Sequence, residues 1–270
     1  MMSMAACSPV RGIEAFDQDK IVLLQMEDMV EGEDIAVVTT SEGTFKMRFF
    51  PSEAPKTVEN FISLAQEHYY DGKMISQVEK IPQDDRVKSR MIIGTGLPSA
   101  EPGITVGNRH IKPEISYNLG TIPGAVAAYA PEGVVDSRFY IVGSRKVYQE
   151  ELDEIAQNNY PKDLIRMFRK HGGYPEEWLH ESVFAQVVEG MDVVDRIIEN
   201  SSCTPKDEVT DVEIISIIME QYSGEQDLPS ESEEKNLSTS ITEEEKLDFQ
   251  QDFGYNGKAN HILWIEGDLS

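Results

Sequence analysis

Residues Ala54 to Val78 read APKTVENFISLAQEHYYDGKMISQV. Val58, Phe61, Ile62 and Ala65 recur at helical spacing, so one face of a helix is apolar. Pro55 fits the first turn, where its missing N–H costs nothing, and Gly72 stops the run. Just upstream, Gly43 to Phe50 sets Phe45, Met47 and Phe49 against Thr44, Lys46 and Arg48. That alternation predicts a strand with one buried face. Ile35 to Thr40 is β-branched and predicts a partner strand, with Ser41-Glu42-Gly43 as the hairpin turn. Ile21 to Met29 is an apolar run fit for an extra strand or a strap over the core. Just downstream, Lys73 to Val78 reads as another short strand.

Beyond the helix, Ile81 to Arg90 is polar and charged and reads as a loop. Gly124 to Ala130, Ser137 to Val142 and Val212 to Met219 read as strands, and residues 97–120 as turn-rich loops. Between Gln149 and Lys170 the pattern is helical, with Leu152, Ile155 and Ala156 on one face and Leu164, Ile165 and Phe168 on another. Gly172-Gly173 ends that insertion. Gly190 to Ile198 is amphipathic and predicts a second helix outside the insertion. From Gln221 to Lys246 the composition turns to Glu, Ser and Thr, as in a flexible acidic linker, and aromatics return at Phe253, Tyr255 and Trp264.

Composition bounds the partners. A chain of 270 residues with 40% hydrophobic residues fits one good-sized domain plus appendages, or two small domains. Its net charge of −25 disfavours nucleic acid and anionic membranes, because neither gains counterion release from an acidic surface. With Cys7 and Cys203 alone there is no disulfide framework, and the five histidines lack metal-ligand spacing. No run approaches the roughly 20 apolar residues of a membrane span. Met4-Ala5-Ala6-Cys7 resembles the end of a lipoprotein signal without its apolar region. The default address is cytoplasmic, and a surface lipoprotein through Cys7 is the alternative if the true start lies upstream.

The strand, helix, strand order around APKTVENF and YYDG resembles the opening of the cyclophilin-type peptidyl-prolyl isomerases, in a bacterial-like, divergent form. The likeness extends in family order over roughly residues 35–219, with two insertions. It implies a mainly β fold: a closed antiparallel barrel capped by helices near 55–67 and 190–198, carrying the helical insertion. Residues 1–34 become an N-terminal extension, 35–220 the barrel domain and 221–270 an acidic, largely flexible tail. It also implies a monomer that acts on proline-containing polypeptide segments, with no cofactor and no metal.

Rotation about an X–Pro bond meets a barrier of about 18–20 kcal/mol from amide resonance. A catalyst that donates a hydrogen bond to the prolyl nitrogen of the twisted state, and holds the ring in a dry pocket, lowers it. The family's donor is the arginine of a Phe-His-Arg strand, and the corresponding positions here are Ile75, Ser76 and Gln77. Gln77 still donates but carries no charge, which makes a weaker bond. The family's glutamine neighbouring that arginine maps to Arg138, whose guanidinium is a substitute donor or else an ion-pair partner of a nearby carboxylate. The apolar floor maps to Met91, Ala128, Ala130, Tyr140, Trp178 and Leu179, with Tyr129 in place of the pocket asparagine. Barrel packing is an equal reading for Met91 and the alanines, and Trp178 is divided between binding and packing. The histidine that should follow falls in a gap, although His180 is close by.

Two functions follow from these residues. One is a peptidyl-prolyl cis-trans isomerase of reduced activity, with Gln77 and Arg138 as the catalytic candidates. The other is a non-catalytic module of the same fold that holds proline-containing segments or another protein partner.

Overall fold

Eight strands, four α-helices and short 3-10 turns make up the described part of the chain. The computed structural model describes residues 21–79, 90–93, 103–130, 133–200 and 210–224, and for 76–79 and 90–93 the backbone alone. Strands β1 (Asp34–Thr40) and β2 (Gly43–Phe49) form a hairpin across Ser41-Glu42, with Thr40 opposite Gly43. Helix α1 spans Pro55–Gln66, followed by β3 (Ile75–Glu79) and β4 (Arg90–Ile93). After β5 (Ala125–Ala128) and β6 (Phe139–Val142) come the two insertion helices, α2 (Gln149–Gln157) and α3 (Lys162–His171). Strand β7 (Ser182–Glu189), helix α4 (Met191–Asn200) and strand β8 (Ile214–Gln221) complete the order.

All strand pairings are antiparallel, in the order β3-β4-β6-β5-β7-β2-β1-β8. The expected closed barrel is met only in part. No ladder joins the edge strands β3 and β8, and an isolated bridge between Met74 and Glu213 links the segments that lead into them.

Phe45, Met47 and Phe49 face inward and are buried. Each such side chain contributes roughly 1.5–3 kcal/mol on leaving water. Phe61 of α1 centres an aromatic cluster, with ring centroids 5.5 Å from Phe49, 5.5 Å from Tyr70, 5.3 Å from Phe139 and 5.6 Å from Phe184. Helix α4 buries Val193, Val194, Ile197 and Ile198 in the same core.

The opposite face of β2 is not simply solvated, as its alternation implied. Arg48 is buried, donating to the Glu27 carbonyl at 2.6 Å and to the Glu33 carboxylate at 2.9 Å. Residues 21–30 supply the cover as a strap with one 3-10 turn at Leu24–Met26, and not as a strand. Gln25 fastens the strap, donating to the Gly120 carbonyl at 3.0 Å and to the Gln186 side chain at 2.7 Å.

The insertion is tied down at both ends. Arg145 donates to Glu151 at 2.6 Å and to the Gly173 carbonyl at 2.8 Å, and its guanidinium carbon lies 5.0 Å from the Tyr174 ring centroid. At the far end a side chain on Gly172 would meet the Arg145 carbonyl at 1.8 Å, and one on Gly173 the Thr121 carbonyl at 2.3 Å. Both φ angles are positive, so only glycine turns the chain there.

The chain remains paired past residue 220, since the Tyr222 N–H donates to the Glu33 carbonyl at 2.8 Å. Of the loop expected at Ile81 to Arg90, Arg90 instead begins β4, and its remaining residues, like Cys7, residues 94–102 and those from 225 on, lie outside the described residues.

Candidate functional site

Strands β5 and β6 pair through Val126–Ile141, Ala127–Tyr140 and Ala128–Phe139. On one face Val126, Ala128, Phe139 and Ile141 join the aromatic core, and on the other Ala125, Ala127, Tyr140 and Val142 pack with Phe50, Tyr174 and Val183. Small residues along β5 permit this, because both of its faces are covered. Past the end of β5 a groove of about 380 Å³ opens. Ala128, Tyr129, Ala130 and Tyr140 line it, joined by Pro113, Ile115 and Gly133 and by His180, Glu181 and Ser182 at the start of β7.

The groove wall at 113–115 is pinned from two sides. Ser182 Oγ accepts the Glu114 N–H at 3.0 Å and donates to the Glu114 carbonyl at 3.0 Å. The Glu114 carboxylate reaches the N-terminus of α1, where it accepts the N–H of Lys56 at 3.0 Å and of Thr57 at 2.9 Å. Ala54 has no capping side chain, so this remote carboxylate takes up the orphan donors of the first turn.

Register places the other candidates. Gln77 stands opposite Ile92, Ile92 opposite Tyr140, and Tyr140 opposite Ala127. Gln77 and Tyr140 therefore share one lateral row, two strand spacings or roughly 10 Å apart. Met91 stands one position over, opposite Ile141.

Arg138 is buried, and its partner is Asp136. Nε–H donates to both carboxylate oxygens, at 3.1 and 3.0 Å, and Nη2 donates to Oδ2. The guanidinium carbon lies 4.8 Å from the Tyr129 ring centroid, so Arg138 backs a groove residue. Next to this pair, Tyr70 donates its hydroxyl to the Ser137 carbonyl at 2.8 Å. Burial, with Tyr69 and Asp136 adding to it, pushes the Tyr70 phenol well above its usual range and keeps it a neutral donor.

Trp178 is elsewhere. Its ring lies 4.9 Å from that of Tyr160, within a cluster formed by Ile122, Leu152, Ile155, Leu164, Met167 and Phe168. Leu179, at φ 67°, packs against the same cluster. The insertion has enclosed this pair, and the groove does not include them.

Against known families, residues 35–219 match the family model described as cyclophilin type peptidyl-prolyl cis-trans isomerase/CLD. The chain belongs to the cyclophilin-type isomerase family. A Staphylococcus aureus (strain USA300) protein named "Putative peptidyl-prolyl cis-trans isomerase" is 31% identical over 201 residues, spanning 72% of this chain and 96% of that protein. A Staphylococcus epidermidis protein of the same name is 28% identical over 201 residues, covering 73% and 98%. A crystal structure of a cyclophilin type peptidyl-prolyl cis-trans isomerase from Cryptosporidium parvum superposes with a TM-score of 0.51 at 15% identity, covering 71% of this chain and 99% of that one. The structure of that protein in the presence of the dipeptide Ala-Pro gives a TM-score of 0.50 at 16% identity. At such identities the superpositions speak to the fold alone.

Set against this cyclophilin's own groove, the residues that the sequence singled out divide in three. Ala128, Tyr129, Ala130 and Tyr140 line it together, Gln77, Met91 and Arg138 stand outside its lining and are placed by register or by ring contact with Tyr129, and Trp178 and Leu179 belong to the insertion's core. Pro113, Ile115, Gly133, Glu181 and Ser182 were not legible as site residues, and Asp136 was not legible as Arg138's partner. No periodicity marks residues 103–116, and only the fold brings them to β7. His180 lies in the groove although it is not at the family histidine's spacing. Among the described residues no group of three or more His, Cys, Asp or Glu side chains is placed to hold a metal ion.

Proposed function

We propose that this cyclophilin catalyses cis-trans isomerisation of X–Pro bonds in polypeptides, with a donor set that departs from the family's arginine. The observation that carries the reading is the groove itself, which gathers Ala128, Tyr129 and Ala130 at the end of β5 and Tyr140 of β6 into one recess, with His180, Glu181 and Ser182 on its polar side. A proline ring seated there is partly removed from water, and a donor at its edge acts on the prolyl nitrogen as the amide twists. Gln77, in the row of Tyr140, is one donor of this kind, and Arg138, behind Tyr129, is the charged one. Met91 stands in the row of Ile141, next to that of Tyr140, and Trp178 and Leu179, packed in the insertion's core, stand outside this reading.

The same reading takes 35–220 as the isomerase domain, residues 1–34 as an extension and 221–270 as an acidic tail. The sheet curls toward closure through the Met74–Glu213 bridge. The protein works as a monomer in the cytoplasm on proline-containing chains, a placement compatible with the absence, among the described residues, of any helix long and apolar enough to cross a membrane. A protease-coupled assay on an X–Pro peptide tests the function directly. Turnover above the uncatalysed rate is expected, and a folded protein that leaves the rate unchanged overturns it.

A further inference from the structure

We propose that Asp136 is a positioning residue for Arg138, fixing the plane of its guanidinium against Tyr129 at the groove wall. The inference rests on the reading of Arg138 as a donor and extends it to the group that holds the donor in place. Asp136 Oδ1 accepts the Arg138 backbone N–H at 2.8 Å and Nε–H at 3.1 Å, and Oδ2 accepts Nε–H at 3.0 Å and Nη2–H. The two side chains are 13% and 8% exposed, so the pair is withdrawn from solvent. A guanidinium at such depth needs its carboxylate, because alone it would bear an uncompensated desolvation cost.

The segment that carries the carboxylate is itself fixed by its neighbours. A Cβ on Gly103 would fall 2.2 Å from its carbon, so only the bare backbone of residue 103 fits against it. Val135, just before it, donates its N–H to the Ile111 carbonyl at 2.9 Å. Ser137, just after it, bonds the Tyr69 hydroxyl at 3.0 Å, and its carbonyl accepts the Tyr70 hydroxyl at 2.8 Å. Tyr129 in turn donates its N–H to the Arg138 carbonyl at 2.9 Å. Backbone and side chain are fixed at both ends of the pair, and the planar fork leaves one orientation for the guanidinium over the ring. Neither Asp136 nor Arg138 lines the groove; Arg138 meets it from behind Tyr129, and the effect of Asp136 on turnover passes through Arg138.

Asp136→Asn, Asp136→Glu, Arg138→Gln and the Asp136→Asn/Arg138→Gln double variant are compared by isomerisation kinetics and peptide affinity. Asp136→Asn is expected to lower kcat roughly tenfold with KM nearly unchanged, because orientation acts on the twisted state. Asp136→Glu restores part of the rate, and Asp136→Asn adds no further loss once Arg138 is Gln. An Asp136→Asn variant at full kcat, or an equal loss in the Arg138→Gln background, overturns the inference. If Arg138→Gln leaves the rate intact, or the wild type shows no turnover, the donor reading fails on its own. The positioning claim is then decided by NMR of the Arg138 Nε–H. A resolved signal in the wild type that Asp136→Asn abolishes sustains it, and an exchange-averaged signal in the wild type overturns it.

Discussion

Glu114 caps helix α1 from 57 positions away along the chain, its Oε2 accepting both the N–H and the hydroxyl of Thr57 at 2.9 Å. A loop that forms one wall of the groove is thereby fastened to the helix that centres the aromatic core. Glu114→Ala is expected to cost about 1–2 kcal/mol, the upper part of the range for lost N-caps, because a charge at the helix terminus is lost with it. Proline-peptide affinity should fall too, as Pro113 and Ile115 are released. Urea denaturation and peptide titration check this, and an unchanged midpoint contradicts it.

Gln77 occupies the lateral row of Tyr140. Gln77→Arg restores a charge-assisted donor at the family's position. It is expected to raise isomerisation by the order of 2–3 kcal/mol in transition-state stabilisation, the scale of a single preorganised donor. Steady-state kinetics on one X–Pro peptide reads this out. A folded variant with no gain would show that the row alone does not set the donor geometry.

Arg145 latches the insertion, with its side chain 2% exposed and that of Glu151 25% exposed. Glu151→Ala removes one partner of a mostly buried pair, at an expected cost of about 2–3 kcal/mol, below the fully buried range because Glu151 is still partly hydrated. Arg145→Met keeps the apolar stem over Tyr174 and should cost less. Thermal melts of both variants rank the two effects, and the reverse order counts against the latch.

His171 ends α3, and burial, with Lys170 second, holds its imidazole below the ordinary 6.5. As pH falls through that value the unfolded chain takes up a proton that the folded chain resists. The unfolded state then binds more protons, so stability is lost on acidification. Comparing wild type with His171→Asn between about pH 7.5 and about pH 5.5, the variant should lose less stability over the step. Parallel losses would remove His171 from the pH response.

The strands and helices could be read from the sequence because their patterns are local. Period-2 alternation picked out Phe45, Met47 and Phe49, and 3.6-residue spacing picked out α1, both insertion helices and α4. Arg48 misled, because alternation distinguishes two faces of a strand without showing that a strap covers the second. Trp178 divided between two roles for a similar reason. A tryptophan beside an insertion takes whichever apolar surface the insertion offers, here Tyr160 and the α2–α3 faces. Groove residues such as Pro113 and Ser182 were beyond reach because they meet only through tertiary structure.

The first and last strands in chain order are neighbours in the sheet, with β1 lying between β2 and β8 and Gly32 donating to the Tyr222 carbonyl at 2.8 Å. During synthesis the β1–β2 hairpin leaves the ribosome early, but its outer edge has no partner until β8 has been translated. Through that interval Ile35 to Thr40 presents unpaired backbone groups beside apolar side chains, an open template for another nascent chain. The moment of greatest aggregation hazard is therefore set by the distance in translation time between the two ends of the domain, and it closes only when the last strand arrives.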